Sequence, residues 1–155
     1  MAYPSRLLSQ EWPETSRRAE DGGRSEAAQW ASLEDDLDVI GDDRANLLIV
    51  GPERLVMNVL RRVVADAPAS IVIPCQPGRL PLSRLSLPPG TLVFLDVDAL
   101  DADGQALLLD WLESASADRR IVSTASTSLL PLVNRGVFDR GLYYRLNTIY
   151  IRLEQ

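Results

Sequence analysis

The residues best equipped for chemistry are four aspartates, Asp96, Asp98, Asp101 and Asp103, set directly behind the apolar run Thr91-Leu-Val-Phe-Leu95. Carboxylates in that setting can hold a divalent cation against phosphate oxygens. A second reading is structural: a solvated loop whose aspartates favour the positive end of the helix that follows. A calcium loop fits poorly. Setting Asp101, Asp103 and Gly104 on an EF-hand puts Ala99 at the first ligand position and Asp110 where a bidentate glutamate belongs.

Much other chemistry is excluded by what the chain lacks. It contains no histidine, and all 16 of its basic residues are arginines. Histidine catalysis, histidine metal sites and every lysine-dependent mechanism are therefore ruled out. A single cysteine, Cys75, excludes an internal disulfide and fits a reducing compartment. The formal net charge of -6 opposes direct binding to nucleic acid. No apolar run is long enough to span a membrane, and the opening MAYPSRLLSQEWPE has no signal-peptide core, so a cytoplasmic location is expected.

Positioning the aspartates requires a sheet. Thr91–Leu95 is too short for a helix and reads as a fully buried strand, which delivers Asp96 to its C-terminal tip. Open α/β sheets place their ligand sites at such tips. Gln105–Leu112 follows with leucines and a tryptophan at helical spacing. Upstream, Leu47–Val50 is a second buried strand, and Gly51-Pro52 opens a helix with an apolar stripe of Leu55, Val56, Val59, Leu60, Val63 and Val64. Arg54, Arg61 and Arg62 fall on its wet face. Ser70–Ile73, Arg120–Thr124 and Thr148–Leu153 read as further strands. Short helices are expected over Leu129–Arg135 and Phe138–Leu146, broken at Gly136, and one turn over Leu82–Leu87. Strands alternating with helices predict one helix-covered parallel sheet. Residues 1–24, rich in charge, proline and glycine, read as a flexible or partner-bound arm. Residues 25–155 form the domain, opening on a helix from Ser25 with Trp30, Leu33, Leu37 and Ile40 on one face and Gly41 as its stop.

Two segments carry a family resemblance. GTLVFLDVDALDADGQALLLDWL resembles the Walker B region of the bacterial enhancer-binding proteins, the AAA+ activators of sigma-54 RNA polymerase, typically GTLFLDEI..L....Q..LL..L. RIVSTASTSLLPLVNRGVFDRGLYYRLNTIYIRL resembles their RIIAATN..L..LV..G.FR.DLYYRLNV..I.L, with Leu142–Asn147 matching outright and Gly136 and Phe138 at the family spacing. ASIVIPCQ is similar to the strand ending near an Asn-Cys, which accounts for Cys75. The resemblance covers about residues 45–153. It implies a three-layer sandwich around a five-stranded parallel sheet in the AAA+ order 5-1-4-3-2. The chain ends where the family's helical lid begins, so no lid domain is expected.

Measured against that family, the departures strike the chemistry. GPERLVMN replaces GESGTGKE: Gly51 survives, the lysine position is Met57, and bulky Leu55 and Val56 stand where glycines let backbone N–H groups wrap phosphate. Asp96 matches the magnesium-linked aspartate, but the water-polarising glutamate is Val97 and the sensor asparagine is Ser126. Of two family arginines, the first is Asp139 and the second remains as Arg145, which the resemblance places towards a neighbouring subunit. The sigma-54-contacting loop is reduced to residues 76–89.

These departures imply a vestigial nucleotide pocket of Gly51, Met57, Asp96, Val97 and Ser126 in a pseudo-ATPase with no cofactor. Such a protein acts in transcription regulation by contact with another copy or an AAA+ relative, not with nucleic acid or membrane. Tyr143, Tyr144 and Arg145 are alternatively packing residues that seat the last helix on the sheet. Two further readings stay open. One is a nucleotide sensor without hydrolysis. The other is a phosphotransferase resembling the haloacid dehalogenases, with Asp96 and Asp98 as its acidic pair and metal ligands and Ser123 or Thr124 as its hydroxyl.

Overall fold

The computed structural model describes residues 31–38, 45–65, 67, 70–80, 82, 90–114 and 119–154. The chain divides into two compact units, residues 1–39 and 40–155. In the first, residues 31–38 form helix α1, with Leu33 and Leu37 half-buried and Asp35, Asp36 and Asp38 exposed. The expected 1–24 arm lies outside the described residues, as do Ser25, Trp30, Ile40 and Gly41.

The second unit is built on a five-stranded sheet. Its strands are β1 (Leu47–Val50), β2 (Ser70–Pro74), β3 (Gly90–Leu95), β4 (Arg119–Ala125) and β5 (Ile149–Arg152). Their order is β2-β3-β4-β1-β5, every pairing is parallel, and β1 and β3 are not neighbours. This is the order that the family resemblance implied. The register places Val50 opposite Ala125 and Arg152, and Leu95 opposite Pro74. The five C-terminal tips therefore share one edge.

Helices α2 (Glu53–Ala65), α3 (Ala102–Ser114), α4 (Leu130–Asn134) and α5 (Arg140–Leu146) cover the sheet. Side chains alternate along a strand, so each buried strand must feed two cores. Leu48, Val50, Leu92, Phe94, Ile121 and Ala125 join one cluster with Leu108 of α3, Val133 of α4 and Leu142 and Leu146 of α5. Leu47, Ile49, Val93 and Val122 are also fully buried but fall outside that cluster, on the opposite face. Helix α2 packs on β1 and buries Leu55, Val56, Val59 and Leu60. Val63 and Val64, expected in the same stripe, are half-buried, and Arg54, Arg61 and Arg62 lie on the exposed face.

Helix boundaries moved where a side chain caps the chain. Helix α3 starts at Ala102, earlier than Gln105, because Asp101 caps it: Oδ1 accepts from Gly104 N–H at 2.8 Å and the Asp101 carbonyl accepts from Gln105 N–H at 2.9 Å. Helix α5 starts at Arg140, later than Phe138, because Asp139 caps it by accepting from Leu142 N–H at 2.8 Å. Gly136 separates α4 from α5 at φ 72°, a left-handed turn that suits glycine. Tyr144 and Arg145 do not seat α5 on the sheet. Tyr144 is 66% exposed, Arg145 is exposed too, and Leu142 and Leu146 make the contact instead, with Tyr143 half-buried beside them.

Candidate functional site at the strand tips

The C-terminal edge of the sheet gathers Gly51 after β1, Cys75 after β2, Asp96 after β3 and Ser126 after β4. Asp96 is held in a left-handed conformation, φ 58° and ψ 55°. Among the described residues it is the one non-glycine residue at positive φ. Its N–H donates to Thr124 Oγ1 at 3.0 Å, which ties β3 to β4 at the tip. Asp96 is exposed on the surface, yet partial desolvation of its carboxylate, followed by the nearby carboxylates of Asp98 and Glu53, raises its pKa from the ordinary value.

The Asp98 carboxylate is turned towards β4. Its Oδ2 accepts from Ser126 Oγ at 2.5 Å and from Ser126 N–H at 3.2 Å, while Oδ1 is buried without a hydrogen-bond partner. Cys75 completes the group. Its thiol is buried and its pKa is pushed up to about 12, first by burial and then by Asp96 and Asp98. The strand tips thus bring together the carboxylates of Glu53, Asp96 and Asp98. No group of three His, Cys, Asp or Glu side chains is arranged to hold a metal ion among the described residues.

The backbone after β1 borders this edge. A phosphate cradle needs free N–H groups pointing into a loop. Here α2 begins at Glu53, so the residues that follow Gly51-Pro52 are wound into its first turn. The Gly51 N–H donates to Ala125 O at 3.1 Å, and Pro52 has no N–H. Leu55 N–H and Val56 N–H both donate to Pro52 O at 3.0 Å. The glycine serves another neighbour as well. A Cβ at residue 51 would lie 2.6 Å from Leu153 O, so the missing side chain makes room for the end of β5.

The structure brings some of the sequence-derived residues together and separates others. Gly51, Asp96 and Ser126 share the strand tips, and Met57 is half-buried one turn into α2. Val97 lies in a 3-10 turn, Val97–Ala99, with its side chain fully buried in the hydrophobic cluster. Arg145 lies at the other edge of the sheet. Its carbonyl accepts from Asn46 Nδ2 at 2.7 Å, just before β1, and its guanidinium is 4.0 Å from Glu113 on half-exposed side chains. The hydroxyls invoked for a phosphotransferase are otherwise engaged or buried: Thr124 serves the Asp96 N–H, and Ser123 is fully buried.

Sequence reasoning missed three residues. Gln105 is buried and joins two separate stretches of backbone, the approach to α3 and the α4–α5 connection: Nε2 donates to Leu100 O at 3.0 Å and to Val137 O at 3.1 Å, and Oε1 accepts from Asp139 N–H at 2.8 Å. Its signal was a lone amide on the apolar face of a helix. Asp139, noted as a lost arginine, is a helix cap. Glu53 carried no sequence signal, since its proximity to Asp96 is a product of the fold.

Sheet order, helix placement and a strand-tip aspartate define a P-loop NTPase-like domain of the AAA+ kind. The comparison with solved structures agrees. The chain aligns with the P-loop NTPase domain of the Sigma-54 transport activator from E. coli at a TM-score of 0.56 and 20% identity, covering 86% of this chain and 98% of that one. It also aligns with NtrX from Brucella abortus in complex with ATP at a TM-score of 0.58 and 15% identity, covering 81% of this chain and 35% of that one. The chain belongs to the Sigma-54 interaction domain family, whose profile matches residues 23–155. Among curated relatives it is 36% identical to the pathogenicity locus probable regulatory protein WtsA of Pantoea stewartii subsp. stewartii, over 41% of this chain and 23% of the relative. It is 33% identical to HrpR of Pseudomonas syringae pv. syringae, over 41% and 24%. The matches thus span about a quarter of each of those relatives.

Proposed function

We propose that this chain is a non-hydrolysing member of its family, a pseudo-ATPase that takes part in transcription regulation through contact with another protein. The observation that carries the reading is the fate of the backbone after β1. The amides of Gly51, Leu55 and Val56 are spent on protein carbonyls, and Pro52 offers none. The side chains point the same way. The side-chain charges that act on Asp96 are the carboxylates of Asp98 and Glu53, where a triphosphate requires cations. With no lysine in the chain and Met57 half-buried, nothing at this edge offsets that charge by an ammonium group. The residues present do not fit Mg-ATP, and no catalytic step is assigned to them.

The regulatory half of the reading rests on family membership and on the two relatives named as probable regulatory proteins. The partner we favour is another copy or an intact AAA+ relative, met in the cytoplasm and without direct contact to nucleic acid or membrane. The net charge of -6 supports exclusion of nucleic acid, and no described helix is long and apolar enough to cross a membrane. Titration calorimetry with Mg-ATP tests the nucleotide reading directly. No saturable heat up to millimolar nucleotide and no phosphate release are expected. Micromolar affinity without turnover would replace it with the nucleotide sensor. Turnover abolished by Asp96→Asn would replace it with an enzyme. Light scattering of the purified chain, alone and mixed with an AAA+ ATPase from the same cell, tests the partner. A strict monomer that leaves the ATPase rate unchanged would remove it.

A further inference from the structure

The connection leaving β2 is fastened at three points. Gln76 and Arg79 form an antiparallel bridge around a tight turn, with Arg79 N–H donating to Gln76 O at 3.1 Å and Gly78 at φ 68°. Leu80 and Leu82, just beyond, are buried in the cluster that contains Cys75, Val97 and Leu100. The third point is Asp101. While its Oδ1 caps α3 through Gly104 N–H at 2.8 Å, its Oδ2 accepts from Gly78 N–H at 3.0 Å. One carboxylate therefore joins two elements that are far apart in sequence. Both of its bonds are charge-assisted, the stronger kind of hydrogen bond.

We propose that Asp101 is a latch that fixes the turn 76–79 to the start of α3, making the first part of the β2–β3 connection a rigid portion of the domain. The three fastenings act together. The latch holds the turn, the turn directs the chain inward, and Leu80 and Leu82 fill the cluster beneath. The bond needs no ligand at the strand tips, so the turn stays docked whatever occupies them. This inference is independent of the proposed lack of nucleotide chemistry, because none of its contacts involves Gly51, Met57 or Asp96.

The two bonds of Asp101 can be separated by substitution. Asp101→Ser keeps an oxygen that caps α3 but is too short to reach Gly78 as well. Asp101→Asn, capping through its one carbonyl oxygen, turns an amide donor towards the Gly78 N–H. Hydrogen exchange on the whole chain, followed by mass spectrometry, reads both elements at once. For either variant, peptides spanning residues 76–82 should exchange about tenfold faster than in the parent, the effect of one lost bond to a charged acceptor. Peptides within 102–114 should stay within about twofold, since the cap remains. Unchanged exchange over 76–82 in both variants would overturn the latch. So would acceleration of equal size in both regions, which would reduce Asp101 to a helix cap.

Discussion

Gly51→Ala discriminates between two reasons for a glycine after β1. Residue 51 sits at φ 155°, where an L side chain is strained, and its added Cβ would meet Leu153 O at 2.6 Å and Leu153 Cβ at 2.9 Å. The obstacle is backbone, so no rotamer change relieves it. Relief requires the end of β5 to move away, which endangers the Leu153 N–H bond to Val50 O at 2.8 Å. An unfavourable backbone conformation costs about 1–3 kcal/mol, and a lost backbone bond about 1 kcal/mol. Together they predict a loss of about 2–4 kcal/mol in unfolding free energy. For a chain of this size that corresponds to a Tm lower by about 6–12 °C. Urea unfolding followed by circular dichroism, with a thermal scan alongside, measures both. A loss below about 0.5 kcal/mol would refute the account, because the β5 contact would then be dispensable. A glycine kept for phosphate approach would give the reverse pattern, with stability little changed and nucleotide affinity lost.

Two further substitutions test the site's electrostatics and its buried amide. The Asp96 pKa is raised in the folded state, so the folded protein binds that proton more readily than the unfolded chain. Its ionised form therefore opposes folding fully above the folded pKa, and the penalty fades as pH falls from that raised pKa to the ordinary carboxylate value. Asp96→Asn should stabilise the protein at pH 7, an asparagine also tolerating the left-handed φ of 58°, and the gain should shrink towards pH 4. Unfolding curves across that range check it, and a gain that grows on acidification would reverse the sign of the argument. Gln105→Leu leaves Leu100 O, Val137 O and Asp139 N–H without their partner, and should cost about 2–4 kcal/mol. A cost within 0.5 kcal/mol of zero, measured by urea unfolding, would mean that water replaces the amide at all three groups.

The sheet was most legible in β1 and β3, which are short, buried on both faces and therefore read as apolar runs. Leu47–Val50 was placed to the residue, and Thr91–Leu95 missed only Gly90. Strand order was not in the periodicity at all; it came with the resemblance carried by the Walker B-like segment and by Leu142–Asn147. Helix starts were less legible because a cap is a side-chain choice: Asp101 and Asp139 could each have lain in a loop. The partnership of Asp98 with Ser126 joins residues 28 apart, just past the ends of neighbouring strands, and no local pattern reports it. Arg145 matched a family motif as a string; within the chain its carbonyl meets Asn46 and its guanidinium lies near Glu113, at the far edge of the sheet, contacts that the motif does not report.

On the proposed non-hydrolysing reading, the early start of α2 bears on how nucleotide chemistry could be engineered into this chain. Met57→Lys restores the one side chain whose loss is most visible, but it would set an ammonium group beside a closed turn of helix. The N–H groups of Leu55 and Val56 point at Pro52 O, not outward, and a helix once nucleated holds its first turn cooperatively. Glycines at 53–56 would have to unwind that turn before lysine had a partner in the backbone. The order of repair is therefore fixed, main chain first and side chain second. A library that varies position 57 alone would return no binder, however deeply it were sampled.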